Sequence, residues 1–382
     1  AGILVIVGIG IALRLAFLHQ PMRLDESWTY LSYVRLPVLL IPIKYNAPNN
    51  QILNTLLIKL SVTLFGNSPE AIRLPAFLFG VGLIPLCYGF VRSWIGPGAA
   101  IIGAALVTTS SPLIEYSTNG RGYTALCFFL VAMLWAGRSA ITTNRREAWA
   151  IVVACAALGT YTIPIMLIPA ATAFLWFYFL MVRAQHRLWG PDFGILVRTM
   201  IALAIAVGVL YVPVFVINGH QGVADAVHYH NAASVQLERL PAFAKQIGSI
   251  WSRDYPPYLA WCLLVLAVGS PLIAYRCRDQ LALLAAATAT SLLLYLLVVS
   301  DLGYPRVWLF VLPLFLIMAA SGIEGLLQRV AAVIYPGHPR FLGLVYVSIA
   351  VGRSLGVGKT VVRNKSVLTS QETGVFLGAQ AA

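Results

Sequence analysis

The sequence predicts an all-α membrane protein, a bundle of about ten or eleven spanning helices with two long loops outside the membrane. Of its 382 residues, 59% are hydrophobic and only 10% are charged, whereas soluble domains carry about 25% charged residues. The mean hydropathy of +0.83 also indicates a membrane protein. This composition excludes a water-soluble enzyme, a nucleic-acid-binding domain and a disordered chain. The net charge of +13 is therefore interpreted through membrane topology and contacts with anionic lipids, not through binding of nucleic acid.

Ten apolar runs come close to the twenty or so residues that a helix needs to cross the hydrocarbon core. The first is interpreted as a span, because no small-residue cleavage site follows it. A shorter run at 341–351 is expected to form an eleventh span or a re-entrant segment. The ten predicted spans are 1–19, 71–91, 98–115, 122–141, 147–163, 164–182, 194–217, 257–275, 279–300 and 305–325.

Arginines concentrate in alternate short loops, and short loops rich in Lys and Arg face the cytoplasm. The arginines of these loops are Arg138, Arg145, Arg146, Arg183, Arg187, Arg198, Arg276, Arg278, Arg329 and Arg340. The remaining connections are therefore predicted to face outward. They are 20–70, 116–121, 218–256 and 301–304.

The loops at 20–70 and 218–256 are long, and loops of that length usually carry function. Residues 31–44 are apolar but too short to span, so we expect an interfacial segment lying on the membrane.

Two adjacent carboxylates, Asp25 and Glu26, directly follow the first span. Such a pair at the membrane boundary is costly unless it is solvated or paired. It is either a solvated stretch of loop or a functional group, acting as a general base, a metal ligand or both. Asp25 is the stronger candidate because Arg23, Trp28 and Tyr30 surround it with groups that bind phosphate and sugar.

An amide cluster lies further along the same loop. Amide groups both donate and accept hydrogen bonds, which suits ligands rich in hydroxyl groups. The alternative is that the asparagines cap the start of a helix. The cluster consists of Asn46, Asn49, Asn50, Gln51 and Asn54.

Two further arginines lie where an outward-facing turn meets a span. Arg121 follows Glu115 closely, and Arg306 follows Asp301 and Tyr304. The planar guanidinium is well suited to a phosphate, although an arginine at this depth can also simply snorkel to the interface.

The second long loop contains His228 and His230, two residues apart. Their spacing allows a metal site, but no third ligand stands at a diagnostic distance. A divalent metal is thus the one cofactor that the sequence suggests, and it stays a hypothesis.

The candidate residues come from four separate outward connections, whereas the opposite face carries mainly arginines. This distribution predicts a catalytic centre assembled from loops at the outer membrane boundary. A transporter or lipid flippase would instead place ionisable groups near the midplane and often show inverted repeats. A non-catalytic membrane subunit that keeps the fold is the third hypothesis.

Five motifs follow one another along the chain. They are the Asp-Glu pair, NNQILNTLL at 49–57, LFGNSPEAIRLPA at 64–76, YSTNGRGY at 116–123 and YPRVWLFVLPLF at 304–315. In this order they resemble the GT-C superfamily of integral-membrane glycosyltransferases. Within it they are most similar to bacterial relatives of the protein O-mannosyltransferases and the lipid A aminoarabinose transferases. The resemblance covers residues 1–325 and leaves 326–382 as a C-terminal segment.

The resemblance implies an inverting enzyme of the bacterial inner membrane, with its active site on the periplasmic or extracellular side. It implies a polyprenyl-phosphate-linked sugar as donor, together with membrane lipids and other membrane proteins as candidate partners. Asp25 matches the family's general base and Glu26 its neighbour, while Arg121 and Arg306 match arginines near the lipid phosphate.

The remaining candidate residues are assigned by position. Tyr123 and Lys44 are expected to help bind the donor phosphate. Asn49, Asn50, Gln51 and Trp28 are expected to contact the sugar or the acceptor. Two positions depart from the family pattern: Gln51 stands where relatives often have histidine, and Gly120 is atypical before the arginine of the turn.

Overall fold

A computed structural model describes residues 2–47, 49–143, 145–188, 190, 193–228, 240–274, 277–298 and 304–334, without the side chains of 220–228, 294–298 and 334. Within these ranges all regular structure is helical, which confirms the predicted all-α class. The α-helices are α1 (Gly2–Leu18), α2 (Leu24–Thr29), α3 (Ile52–Phe65), α4 (Pro69–Trp94), α5 (Pro97–Thr109), α6 (Ser111–Ser117), α7 (Tyr123–Thr143), α8 (Glu147–Thr162), α9 (Leu167–Gln185), α10 (Phe193–His228), α11 (Leu240–Ser252), α12 (Pro257–Ile273), α13 (Arg278–Val298) and α14 (Val311–Ile334).

Each of the ten predicted spans coincides with a helix or a pair of helices, but fewer have the dimensions of a complete span. In the described part of the chain, five helices are long and apolar enough to cross a membrane, or seven if each of two bent pairs forms one span. The helices α1 and α8 are apolar but shorter. The predicted count of ten or eleven is therefore not reached by this criterion, and 341–351 lies outside the described residues.

Helix α4 lies at the centre of the bundle, in contact with α1, α3, α5, α6, α7 and α14. The side chain of Ser68 caps its start by accepting a hydrogen bond from the Ala71 N–H at 3.2 Å, and Pro69 occupies the first turn. Its neighbour α5 has the sequence PGAAIIGAALVTT, and almost all of these residues are buried. Small side chains allow helices to pack closely where lipid provides no hydrophobic drive for association.

Two sharp bends shape the end of the bundle that the sequence predicts to face outward. The chain bends by 60° between α5 and α6 and by 106° between α11 and α12. Pro112 near the start of α6 lacks the N–H that would continue α5, and Pro256 and Pro257 interrupt the second pair. The two bends are tied together, because the Ser111 N–H donates to Asp254 Oδ2 at 2.8 Å.

The first long loop contains more structure than the sequence indicates. It holds α2, a π-helical turn (Tyr30–Val34), a 3₁₀ turn (Val38–Leu40) and the apolar helix α3. Within the predicted interfacial segment, the side chains of Leu31, Val38 and Leu39 are exposed. An apolar exposed surface is what an interfacial segment requires, and its contact with lipid remains a prediction.

Candidate active site

Asp25, Arg121 and Arg306 lie at the bundle end predicted to face outward. Four separate parts of the chain contribute: α2, the turn 118–122 between α6 and α7 (the site turn), the α11–α12 junction, and a 3₁₀ turn (Pro305–Phe310) that leads into α14. Residues far apart in sequence are thereby brought into contact.

Asp25 and Arg306 form an ion pair, with 2.6 Å between Asp25 Oδ2 and Arg306 Nη1. Their side chains are 28% and 29% exposed, so solvent reaches both. The Arg306 guanidinium also lies 4.6 Å from the centroid of the Tyr304 ring. Its buried Nε has no hydrogen-bond partner. Arg306 therefore has N–H groups left over for an anion.

Arg121 is buried on the site turn, next to α2. Its Nη1 donates to Thr29 Oγ1 at 3.0 Å and to the Asn49 carbonyl oxygen at 3.3 Å. Thr29 lies one helical turn after Asp25, and residues four apart on a helix share a face. The guanidinium also lies 5.9 Å from the Tyr123 ring centroid, and its Nε has no hydrogen-bond partner. A second cation thus stands beside the Asp25 face of α2.

Glu26 faces away from this polar surface and is completely buried. Its carboxylate accepts two hydrogen bonds from Arg73, at 2.9 and 2.8 Å. It also accepts from the Gly120 N–H at 2.6 Å and from the Arg23 N–H at 2.9 Å. Both oxygens are occupied and the side chain is 0% exposed. These contacts revise the expectation that Glu26 takes part in catalysis, since its charge is neutralised and inaccessible.

The amide side chains hold backbone groups in place. Asn54 Nδ2 donates to the Gly120 carbonyl oxygen at 3.1 Å, and Gln51 Oε1 accepts from the Gly122 N–H at 2.6 Å. Both contacts fasten the site turn that carries Arg121. Gln51 is buried and its amide oxygen is engaged by the turn, which favours a structural role over contact with a sugar. Capping does not explain this residue either, since its side chain makes no cap at the start of α3.

Asn50 has a similar structural task. Its Nδ2 donates to the carbonyl oxygens of Ile41 and Lys44, both at 2.8 Å, and its Oδ1 accepts from Thr55 Oγ1 at 3.0 Å. Its side chain therefore fixes the end of the interfacial segment against α3, and a sugar-binding role is revised for the same reason.

A second group of charges ties α2 to the other loop. Glu115 accepts from Arg23 Nη1 at 2.7 Å and from Arg253 Nη2 at 2.6 Å. This carboxylate thus connects α6, the start of α2 and the α11–α12 junction. Charges at the ends of predicted loops are the only signal in the sequence for this contact.

Comparison with known proteins places this geometry in a structural class. Residues 49–212 match the family described as dolichyl-phosphate-mannose-protein mannosyltransferase. The structure of ArnT from Cupriavidus metallidurans bound to undecaprenyl phosphate superimposes with a TM-score of 0.60, covering 94% of this chain and 70% of ArnT at 16% identity. The chain has the GT-C fold of ArnT.

Apo ArnT from the same organism gives a TM-score of 0.58 at 14% identity, with coverage of 94% of this chain and 71% of ArnT. No curated protein gives a significant sequence match. The GT-C resemblance that the sequence motifs predict is thereby confirmed. The family match includes the site turn and the amide cluster except Asn46, but neither Asp25 nor Arg306. The proposed roles of Asp25 and Arg306 therefore depend on the geometry of this chain.

The two departures from the GT-C motif have structural explanations. Gln51 accepts a hydrogen bond from the site turn, as described above. A Cβ at Gly120 would lie 3.0 Å from a methyl group of Ile72 and 3.5 Å from Glu26 Oε1. Gly120 therefore lets the site turn approach α4 closely while its N–H reaches the Glu26 carboxylate.

Other candidate residues lie at the margin of the site. Trp28 is 47% exposed. Asn49 contributes its backbone carbonyl to Arg121. Lys44 is exposed, with Nζ 3.4 Å from the Ser32 carbonyl oxygen and 6.0 Å from the Tyr33 ring centroid. Burial raises the pKa of Tyr33, and the charge of Arg121 opposes this rise. Tyr33 therefore stays a neutral phenol at physiological pH, and its hydroxyl donates to Asn46 Oδ1 at 2.9 Å.

The metal hypothesis depends on two histidine side chains of the second long loop. The side chains of His228 and His230, like the whole of Asp301, lie outside the described residues. Across the described ranges, no group of three or more His, Cys, Asp or Glu side chains is arranged to hold a metal ion. A divalent metal stays a prediction.

Replacing Gly122 with alanine is expected to destabilise the site turn by about 1–3 kcal/mol, because a Cβ there overlaps the Thr162 methyl group. The measurement is the apparent unfolding temperature in detergent. The double variant Gly122→Ala/Thr162→Ser should recover stability, since serine lacks the methyl and keeps the hydroxyl that donates to the Leu158 carbonyl oxygen at 2.8 Å. Gly208→Ala in α10 meets nothing within 4 Å and is the matched control. A Gly122 variant as stable as this control would contradict the packing argument.

Proposed function

We propose that this GT-C chain is a glycosyltransferase that moves a sugar from a polyprenyl-phosphate carrier to an acceptor hydroxyl on the outer face of the membrane. The observation that carries the proposal is the Asp25–Arg306 ion pair. It places a solvent-accessible carboxylate against an arginine with unused N–H groups, although the two residues are 281 positions apart. The undecaprenyl phosphate bound to ArnT supports a carrier of this class.

The chemistry requires a base and an anion-binding group. Asp25 takes the proton of the acceptor hydroxyl, and the acceptor oxygen forms a bond to the anomeric carbon. The bond between that carbon and the phosphate oxygen breaks, and its electron pair leaves with the polyprenyl phosphate. Attack from the side opposite the phosphate inverts the anomeric centre. A positioned general base contributes about 10²–10⁴-fold.

The two site arginines have the complementary task. Arg306 and Arg121 stabilise the negative charge that grows on the departing phosphate. Both are already oriented, Arg306 by Asp25 and Arg121 by Thr29, so little reorganisation is needed during the reaction. Trp28 and the loop around Asn49 are the nearest remaining candidates for contacts with the sugar or the acceptor.

The interfacial segment has a role in delivering the lipid. The exposed side chains of Leu31, Val38 and Leu39 would line the entry of a prenyl chain from the outer leaflet. Arg35 and Lys44, both exposed on the same segment, would attract an anionic carrier. By this proposal the protein works in the bacterial inner membrane, with the site on the periplasmic side.

The test is sugar transfer by the purified protein from a panel of polyprenyl-phosphate sugars. Consumption of one donor, with release of polyprenyl phosphate, is the expected result. Asp25→Asn serves as the variant without a base. If the whole panel is left intact by protein that still binds polyprenyl phosphate, the catalytic proposal fails and a non-catalytic subunit is favoured.

A further inference from the structure

A buried arginine in the apolar helix α1 has no part in the reaction described above. The side chain of Arg14 is 0% exposed. Its Nε donates to Ser117 Oγ at 3.1 Å, and its Nη1 donates to the carbonyl oxygens of Gly10 and Thr108 at 3.1 and 3.4 Å. Its Nη2 has no hydrogen-bond partner. An ionisable residue inside a membrane helix is costly and is a functional candidate by default.

Within the described residues Arg14 has no carboxylate partner, which it shares with Arg121 but not with the other arginines near the site. Arg73 faces Glu26, Arg306 faces Asp25, and Glu115 is shared by two further arginines. By contrast, no carboxylate in the described part of the chain forms an ion pair with Arg14. Arginine remains protonated in proteins, so the bundle contains a positive charge that the described residues do not neutralise.

This charge lies below the active site. Ser117, which Arg14 contacts, directly precedes the site turn. Gly80 of α4 packs against the same serine, and a Cβ there would lie 3.4 Å from Arg14 Nε. Arg73 is seven residues before Gly80 on α4, which corresponds to about 10 Å along the helix axis. The Arg14 guanidinium, which lies beside Gly80, is therefore about 10 Å along the α4 axis from the level of Arg73.

We propose that Arg14 strengthens binding of the donor phosphate through its charge, without touching it. The inference rests on the proposed function, because the missing counter-ion is the phosphate of the lipid carrier. A neutral side chain could make the same hydrogen bonds to Ser117 and to the two backbone carbonyls. The positive charge of Arg14 is therefore not explained by these contacts. Two unit charges about 10 Å apart at an effective dielectric constant of about 20 change an affinity by about tenfold.

The experiment compares two ligands that differ only in charge, polyprenyl phosphate and the neutral polyprenol of the same chain length. Arg14→Gln is expected to weaken binding of the phosphate about tenfold and to leave binding of the alcohol unchanged. Arg92→Gln is the matched control. Arg92 is exposed at the opposite end of α4, so this substitution removes the same charge far from the site.

A second variant tests the charge while Arg14 itself stays in place. Thr108 contacts Arg14 through its backbone carbonyl oxygen, and its buried hydroxyl has no hydrogen-bond partner. Thr108→Asp would therefore place a carboxylate close to Arg14. It should cause the same selective loss as Arg14→Gln, and Thr108→Asn should not. This variant carries the test if Arg14→Gln fails to fold.

Equal weakening of both ligands would show that Arg14 is purely structural and would overturn the inference, as would an unchanged phosphate affinity. If the wild-type protein does not prefer the phosphate over the alcohol, the proposed carrier is wrong and the inference falls with it.

Discussion

Asp25→Asn is expected to lower kcat for sugar transfer by about 10²–10⁴-fold, the contribution of a general base. Asparagine has nearly the same shape and still accepts a hydrogen bond from Arg306, so the fold should be kept. It cannot take a proton from the acceptor hydroxyl. Because the substitution also removes the carboxylate that faces Arg306, the KM for the donor should stay the same or fall. Steady-state kinetics with the donor found by the panel separate the two parameters.

Asp254→Asn is the matched control for this prediction. Asp254 belongs to the same end of the bundle, and its Oδ2 accepts from the Ser111 N–H at 2.8 Å, a contact that an amide oxygen can replace. The kcat of the Asp254→Asn enzyme should stay within a few-fold of the wild-type value. An Asp25→Asn enzyme with wild-type kcat, or equal losses in both variants, would remove Asp25 from the role of base.

The helix positions could be predicted from the sequence because lipid imposes a strict rule. A chain in hydrocarbon must satisfy its backbone hydrogen bonds internally, so apolar runs of sufficient length become helices. The bends could not be predicted in the same way. A single long run at 98–115 hides the break at Pro112, and α3 is an apolar helix inside what the sequence indicates is a loop.

The sequence offers candidate site residues where a residue type is scarce. Few acids and bases interrupt this apolar sequence, and Asp25, Arg121 and Arg306 stand out for that reason. Whether a polar side chain faces a ligand or the protein depends on packing. Glu26 is adjacent to Asp25 in sequence but points to Arg73, and Gln51 binds the site turn.

Two residues had no sequence signal for their roles. Arg73 begins a span and resembles an ordinary interfacial arginine, yet its partner Glu26 is 47 positions away. Arg14 is one polar residue in an apolar run, and its burial follows from the approach of α4 and α6. Both depend on tertiary contacts that no local pattern records.

Glu26→Ala is expected to destabilise the protein by about 3–5 kcal/mol, because it leaves a buried guanidinium without its counter-ion. Arg73 Nη1 also donates to the carbonyl oxygens of Leu18 and Gln20, at 2.6 and 2.7 Å. The pair therefore joins α4 to the end of α1 and to α2, and it holds the site turn through Gly120. The measurements are the apparent unfolding temperature in detergent and the fraction of protein that remains monodisperse.

Glu70→Ala provides the comparison for the same substitution on the surface. Glu70 pairs with His19 at 2.7 Å, with side chains 36% and 75% exposed, and exposed pairs contribute only about 0–1 kcal/mol. The double variant Glu26→Ala/Arg73→Met should be more stable than Glu26→Ala alone, because it leaves no unpaired charge behind. If the double variant is the less stable of the two, lost hydrogen bonds outweigh the charge. In that case the site turn depends on the shape of the Arg73–Glu26 contact rather than on its electrostatics.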